Sequence, residues 1–178
     1  MQLSKPMQDF ILHWGEMGAR WGVNRSVAQV HALLHLSPEP LPADEIAETL
    51  DLARSNVSNA IKELQAWKLI RVQRQLGDRR DHFVSEQDLF EIVRLVVEGR
   101  RTREIVPTIE AVKAARDTAE ADGDTPQHVT LRMTETLEVM ELLDRWYRDI
   151  AALPRPTQLA FLRLGAGIAR FLPKGGDG

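Results

Sequence analysis

Between residues 41 and 85 the hydrophobic spacing is helical twice and then alternating, and few folds accommodate that order in so short a span. Over residues 43–50, Ile46, Ala47 and Leu50 fall on one helical face while Asp44, Glu45 and Glu48 are left for water. A turn at Asp51-Leu52-Ala53 follows, with Leu52 directed inward. Ser55 is suited to cap the next helix, because its hydroxyl can accept from an unpaired amide. In that helix Val57, Ile61 and Leu64 form the buried stripe. Beyond Trp67 and Lys68, apolar Ile70, Val72 and Leu76 are interleaved with Arg71 and Arg74, as a half-buried strand requires. Gly77-Asp78 marks a hairpin turn, and His82-Phe83-Val84 returns as the second strand. Leu41, between Pro40 and Pro42, is the expected short first strand. The order predicts a winged helix-turn-helix core in a mainly α chain with a small β-wing.

The face opposite the buried stripe carries Arg54, Ser55, Asn56, Ser58, Asn59 and Lys62. Short polar side chains can reach base edges in a major groove, and cations beside them can hold phosphates. Arg79 and Arg80 are expected to project from the hairpin tip toward a DNA backbone or minor groove. From Arg54 to Arg80 seven cations stand against two acids, a net of +5, whereas the chain as a whole carries −3, so the remainder sums to −8. A basic island on an acidic chain is the electrostatic footprint of phosphate binding on one face. These eight residues are the candidate DNA contacts, and double-stranded DNA is the expected partner. The same elements could serve as a winged-helix protein-interaction module without DNA binding; the polar face and the arginine wing argue against it. No nucleophile–base constellation is present, so neither catalytic residues nor a cofactor are expected.

With no cysteine there is no disulfide framework and no thiolate zinc site. His31 and His35, one helical turn apart, could share a metal, but no third ligand accompanies them and packing is the better reading. Gly165-Ala166-Gly167 has the first two glycines of a dinucleotide fingerprint, yet Arg170 holds the third position and no strand precedes it. The longest uncharged run, residues 26–38, is well short of the ~20 apolar residues of a membrane span. The chain is expected to be soluble and cytoplasmic.

Helices are expected over residues 9–21 and 26–36. Past Ser85, a capping box at Ser85-Glu86-Gln87-Asp88 opens a long helix through Phe90, Val93 and Val97 that Pro107 must kink or divide. Another helix carries Val129, Met133, Leu137, Met140, Leu143, Tyr147 and Ile150 at steps of three and four. The last runs from near Pro156 to Pro173. Residues 1–85 read as the DNA-binding part, and residues 86–178 as a helical dimerisation and effector part. So many amphipathic helices need a surface to bury against: short loops allow an intramolecular antiparallel bundle, but the economical answer is a second copy, which also presents two reading helices to a pseudo-palindromic operator.

The run Trp14-Gly15-Glu16-Met17-Gly18-Ala19-Arg20-Trp21-Gly22-Val23-Asn24-Arg25, the segment Val27-Ala28-Gln29-Val30-His31-Ala32-Leu33-Leu34 and the recognition-helix and wing motifs together resemble the GbsR-like branch of the MarR superfamily. The resemblance spans about the first half of the chain. It implies a dimeric winged-helix transcription regulator, expected to be a repressor. Some members control genes for choline and glycine betaine uptake or synthesis. Read from the residues alone, Gly15, Gly18 and Gly22 each cost about 1 kcal/mol in a helix relative to alanine, so their smallness is expected to permit close approach by another element. Trp14 and Trp21 lie on about the same helical face and are packing anchors or, with Trp146 and Tyr147, the walls of an effector pocket. Aromatic faces attract a cation that cannot be hydrogen-bonded, so a quaternary ammonium compound such as choline or betaine is the effector class expected there.

Overall fold

The computed structural model describes residues 2–165 and 167. Helix α1, Lys5–Arg20, starts four residues earlier than its apolar pattern, because Pro6 in the first turn lacks only an amide proton that would go unpaired there anyway. It ends in a Schellman arrangement: Gly22, at φ +78°, lets its amide reach Ala19 O at 3.1 Å and that of Val23 reach Gly18 O at 2.9 Å. Asn24 then caps α2, Arg25–Leu36, by accepting from the Ser26 amide at 2.8 Å. The two helices pack face to face. A Cβ on Gly18 would stand 2.6 Å from Ala28 Cβ, and one on Gly15 2.7 Å from Gln29 Cγ, so glycine is what allows the approach.

Strand β1, Leu41–Pro42, leads into α3, Ala43–Leu50, and α4, Arg54–Ala66. The stripe Val57, Ile61 and Leu64 is buried, joined by Ala60. Ser55 is not the cap: Ala53 holds that position without a side-chain bond, and Ser55 stands exposed in the first turn. Strands β2, Ile70–Gln73, and β3, His82–Ser85, complete an antiparallel sheet in the order β1-β3-β2, with Ile70 opposite Ser85 and Leu41 opposite Phe83. The alternation expected through Leu76 stops at Gln73. Leu76 lies fully exposed at the wing tip, because the ladder has no partner for it beyond His82.

Helix α5, Leu89–Arg100, is capped by Asp88, whose Oδ1 accepts from the Phe90 amide at 2.9 Å; Ser85, the expected cap, belongs to β3 and is fully buried. Ile92 joins the core formed by α1 to α4 and the sheet, with Leu95 and Val96 packed against it. The chain accordingly divides into units Met1–Arg100 and Arg101–Gly178, so α5 goes with the first unit, whereas the sequence-based division fell at residue 85.

The second unit opens on a π-helical turn, Arg101–Ile105, followed by α6, Val106–Asp122. Pro107 therefore divides the helix: the missing amide and the ring's clash with the preceding turn are absorbed by the wider π geometry. After Gly123, α7, Gln127–Ala151, packs on α6 through a stripe centred on buried Leu137. Leu143, expected in that stripe, is 60% exposed. Asp144 lies on the inner side instead, where the Arg101 Nε donates to it at 2.7 Å and Arg148 pairs with it at 3.1 Å. Arg101 also stands 6.0 Å over the Tyr147 ring. Helix α8, Arg155–Leu164, is tied to the end of α7 by the Gln158 amide, which donates to Ala151 O and Leu153 O. The expected continuation of that helix to Pro173, Arg170 and the glycine-rich end of the chain lie outside the described residues.

The α1–α2 contact makes a stability prediction. Gly18→Ala gains about 1 kcal/mol of helix propensity but forces two backbone-fixed methyl groups together, and overpacking of that kind costs about 1–3 kcal/mol. Urea unfolding is expected to show net destabilisation, with Gly18→Ala/Ala28→Gly recovering part of the loss. A fully stable single variant would mean the helices do not meet there.

Candidate nucleic-acid interface and cavity

Helix α4 is held by its buried stripe against α2 and α3, and this leaves Arg54, Ser55, Asn56, Ser58, Asn59 and Lys62 all exposed on one face. Among the described residues none of these six side chains enters a hydrogen bond or ion pair. The face thus offers amide and hydroxyl groups flanked by two cations, with no internal partner to displace. At the wing tip the two arginines differ. Arg79 is exposed and makes no side-chain bond among the described residues. Arg80 is gripped: its Nη2 donates to Asp78 Oδ2 at 2.7 Å, its Nε donates to both Asp78 oxygens, and its Nη1 reaches Asp44 Oδ2 on α3 at 3.0 Å. The guanidinium holds the Asp78 carboxyl down to about 2 and lowers Asp44 as well. His82 extends the cluster, its Nε2 3.5 Å from Asp78 Oδ2. Arg80 therefore ties the wing tip to α3 instead of projecting freely, while Arg79 beside it stays exposed.

The first unit also encloses a cavity of about 480 Å³ between α1, α2, the end of α4 and α5. Trp14 and Trp21 line it as expected, but the third tryptophan is Trp67, not Trp146. Trp67 continues the inward stripe of α4 three residues past Leu64, a signal already present in the spacing. Trp146 and Tyr147 belong to α7, in the second unit; Trp146 is 62% exposed. The remaining wall is almost wholly aliphatic, with Glu63 and Arg100 the charged residues among the lining. An Arg100 guanidinium N–H donates to the Trp21 carbonyl, closing the end of α1.

One polar side chain in the wall is deeply buried. His31, 4% exposed, lies 6.3 Å from Trp14 and 6.2 Å from His35, ring centre to ring centre. Its Nε2 is 3.2 Å from Ser85 Oγ, while the Ser85 hydroxyl donates to Glu86 O at 2.9 Å. A hydroxyl has one proton to give, so the network assigns the Nε2–H tautomer to His31, which donates to Ser85. The pair His31 and His35 is thus occupied by packing and hydrogen bonding. No group of three or more metal-ligating side chains occurs among the described residues.

Burial, and secondarily the neighbouring His35, lower His31 to about 4, so the ring is neutral near pH 7. Its native value lies below the ordinary 6.5, so the unfolded chain binds the proton first as pH falls. The stability contributed by the neutral ring is complete above about pH 6.5 and is lost as pH drops toward 4, by a total on the order of 3 kcal/mol. Chemical unfolding between pH 7 and pH 4 is expected to show a shallower loss for His31→Gln than for the wild type; parallel curves would refute a neutral buried ring.

Residues 17–81, which hold α2 to α4 and most of the wing, match the MarR family model. The chain is 25% identical over 96 residues to the HTH-type transcriptional repressor GbsR of Bacillus subtilis (strain 168), a match covering 54% of this chain and 53% of that repressor. This chain thus spans about half of that relative's length. A crystal structure of a transcriptional regulator superposes with a TM-score of 0.56 at 21% identity, covering 81% of this chain and 94% of its own, which establishes the shared fold. The crystal structure of a MepR–DNA complex from S. aureus superposes more loosely, with a TM-score of 0.36 at 17% identity over 62% of this chain and 90% of its own.

Residues 17–81 thus carry the sequence signature of the MarR family on a winged helix-turn-helix fold. Over the 96 matched residues the chain is similar to a GbsR repressor.

Proposed function

We propose that the protein is a homodimeric, sequence-specific DNA-binding repressor that works in the cytoplasm on a pseudo-palindromic operator and answers to a small-molecule effector in the tryptophan-lined cavity. The exposed and internally unpartnered polar face of α4 carries this reading. Asn56, Ser58 and Asn59 read base edges, Arg54 and Lys62 hold phosphate or guanine, and Arg79 contacts the backbone or minor groove. The GbsR relative is itself named a transcriptional repressor, which favours the same direction of control. Trp14, Trp21 and Trp67 supply the aromatic surface for an effector, and a quaternary ammonium compound such as choline or betaine is the first class to try. Genomic fragments retained by purified protein test the reading as a whole. Failure to enrich any duplex at low salt would favour a protein-interaction module.

Contacts to bases and to backbone separate in their signatures. Asn56→Ala or Asn59→Ala is expected to relax sequence preference at particular base pairs by about 1–3 kcal/mol in a binding-site selection. Arg79→Ala is expected to reduce the salt slope of binding by about one unit, as the loss of one phosphate contact requires. Arg80→Ala weakens binding with less change of slope, because its cation is already matched by Asp78 and Asp44. Equal slope changes for the two arginines would show that Arg80 leaves its carboxylates to bind DNA.

Dimerisation draws on the second unit. Leu131, Val139, Leu142 and Trp146 on α7 are all more than half exposed, and scattered single apolar residues would not fall on one helix this way. A two-fold mate covering them sets the reading helices ~34 Å apart, one turn of DNA. Light scattering is expected to move Leu142→Lys/Trp146→Glu from dimer toward monomer with its helix content intact. A stable dimer from that variant would locate the interface elsewhere.

A further inference from the structure

The wall of the cavity reaches the base of the wing through a buried hydrogen bond. His31 faces the cavity and donates to Ser85, the last residue of β3. Ser85 pairs with Ile70 of β2, and the next residue, Glu86, donates its amide to Leu69 O at the exit of α4, at 2.9 Å. The Glu86 carboxylate accepts from the amides of Gln87 and Asp88, and Asp88 caps α5, which returns to line the cavity with Ile92 and Val96. One junction of a few residues therefore ends the wing, fastens the exit of the reading helix and starts the helix that closes the cavity.

The cavity's volume falls in the range of small-molecule sites, about 300–1,000 Å³, and its walls are apolar apart from the few side chains named above. Trp21, Leu89 and Val93 at its rim are more than half exposed, so a molecule can enter from solvent. Interiors this closely packed shift between discrete arrangements instead of deforming smoothly. A molecule seated against Trp14 lies beside His31, whose ring centre is 6.3 Å from that of Trp14 and whose Nε2 is 3.2 Å from Ser85 Oγ.

We infer that an organic ligand with an apolar body fills this cavity against Trp14 and His31, and that the His31–Ser85 hydrogen bond carries its presence to the wing. The inference rests on the effector reading above and adds the route. His31 acts as a positioning residue, with no contact to DNA. The ligand moves the wing only by as much as it binds the two arrangements of the junction unequally.

Nuclear magnetic resonance of the ¹⁵N-labelled full chain tests the route without DNA. Choline and its uncharged isostere 3,3-dimethylbutan-1-ol are titrated to millimolar concentration while the Trp14 and Trp67 indoles, the His31 ring and the wing amides are followed. In the wild type all of these are expected to shift together with a single saturation curve. In Ser85→Ala the indoles still respond while the wing shifts fall about fivefold or more, and Ser85→Thr, which keeps the hydroxyl, restores them. Wing shifts that persist in Ser85→Ala would overturn the route. Silent indoles with both probes would remove the effector reading and the route with it. Wing shifts that depend on Ser85 in a protein that retains no duplex would uphold the route and discard the DNA reading.

Discussion

Helix α1 lies so close on α2 that a methyl on Gly18 would meet Ala28 Cβ at 2.6 Å, and much of the first unit is arranged around that approach. Small residues at the contact let α2 bury the opposite side of its surface, Val30, Leu33 and Leu34, in the core shared with α4 and the sheet. A helix buried on both sides cannot spare a polar side chain without a partner. His31 meets that requirement through Ser85, and in doing so joins α2 to the end of the wing. The glycines leave a second consequence at the helix end. The Schellman turn at Gly22 halts α1 just after Trp21, so Trp14 and Trp21 stay on one side of α2 over the space that α5 closes.

Electrostatics at the wing serve position more than charge. Of the two tip arginines, Arg80 is held by carboxylates from its own turn and from α3, and both acids are pulled below their ordinary values by it. An exposed ion pair of this sort contributes little to global stability. Its geometry is nonetheless specific, since a guanidinium fork gripped on two edges fixes the direction of the loop that carries it. Arg79, the neighbour without such partners, is the cation that loop leaves available.

The helix-turn-helix and the wing were legible because their signal is periodic, and burial at Val57, Ile61 and Leu64 obeys the period directly. Single-residue assignments fared worse where a tertiary partner decides. Ser55 has the chemistry of a cap, but the chain turns earlier, at Ala53. Ser85 has it too, yet a buried histidine 54 residues away in sequence claims its oxygen. Leu76 follows the alternation beyond the point where the hairpin has paired strands, and an apolar residue at a tip has nothing to bury against. Trp146 and Tyr147 were grouped with the first tryptophans by chemistry alone, whereas Trp67 lies at the cavity because it extends the stripe of α4. Aromatic character carries no address; helical phase does.

Side chains anchor the wing at its tip, Arg80 to Asp44 of α3, and at its base, Ser85 to His31 of α2. Helices α2 and α3 also carry α4, so α4 and the wing share one frame and must approach a surface together. The two anchors differ in kind. The tip anchor is solvent-exposed and screened by salt, and it can exchange with water at little cost. The base anchor is buried, and breaking it strands a donor and an acceptor away from water, at about 1–3 kcal/mol for each group left unsatisfied. A disturbance at the tip therefore alters how the wing samples its surroundings, while one at the base must switch the junction from one satisfied arrangement to another. Only the second kind has a threshold, and it lies at the wall of the cavity.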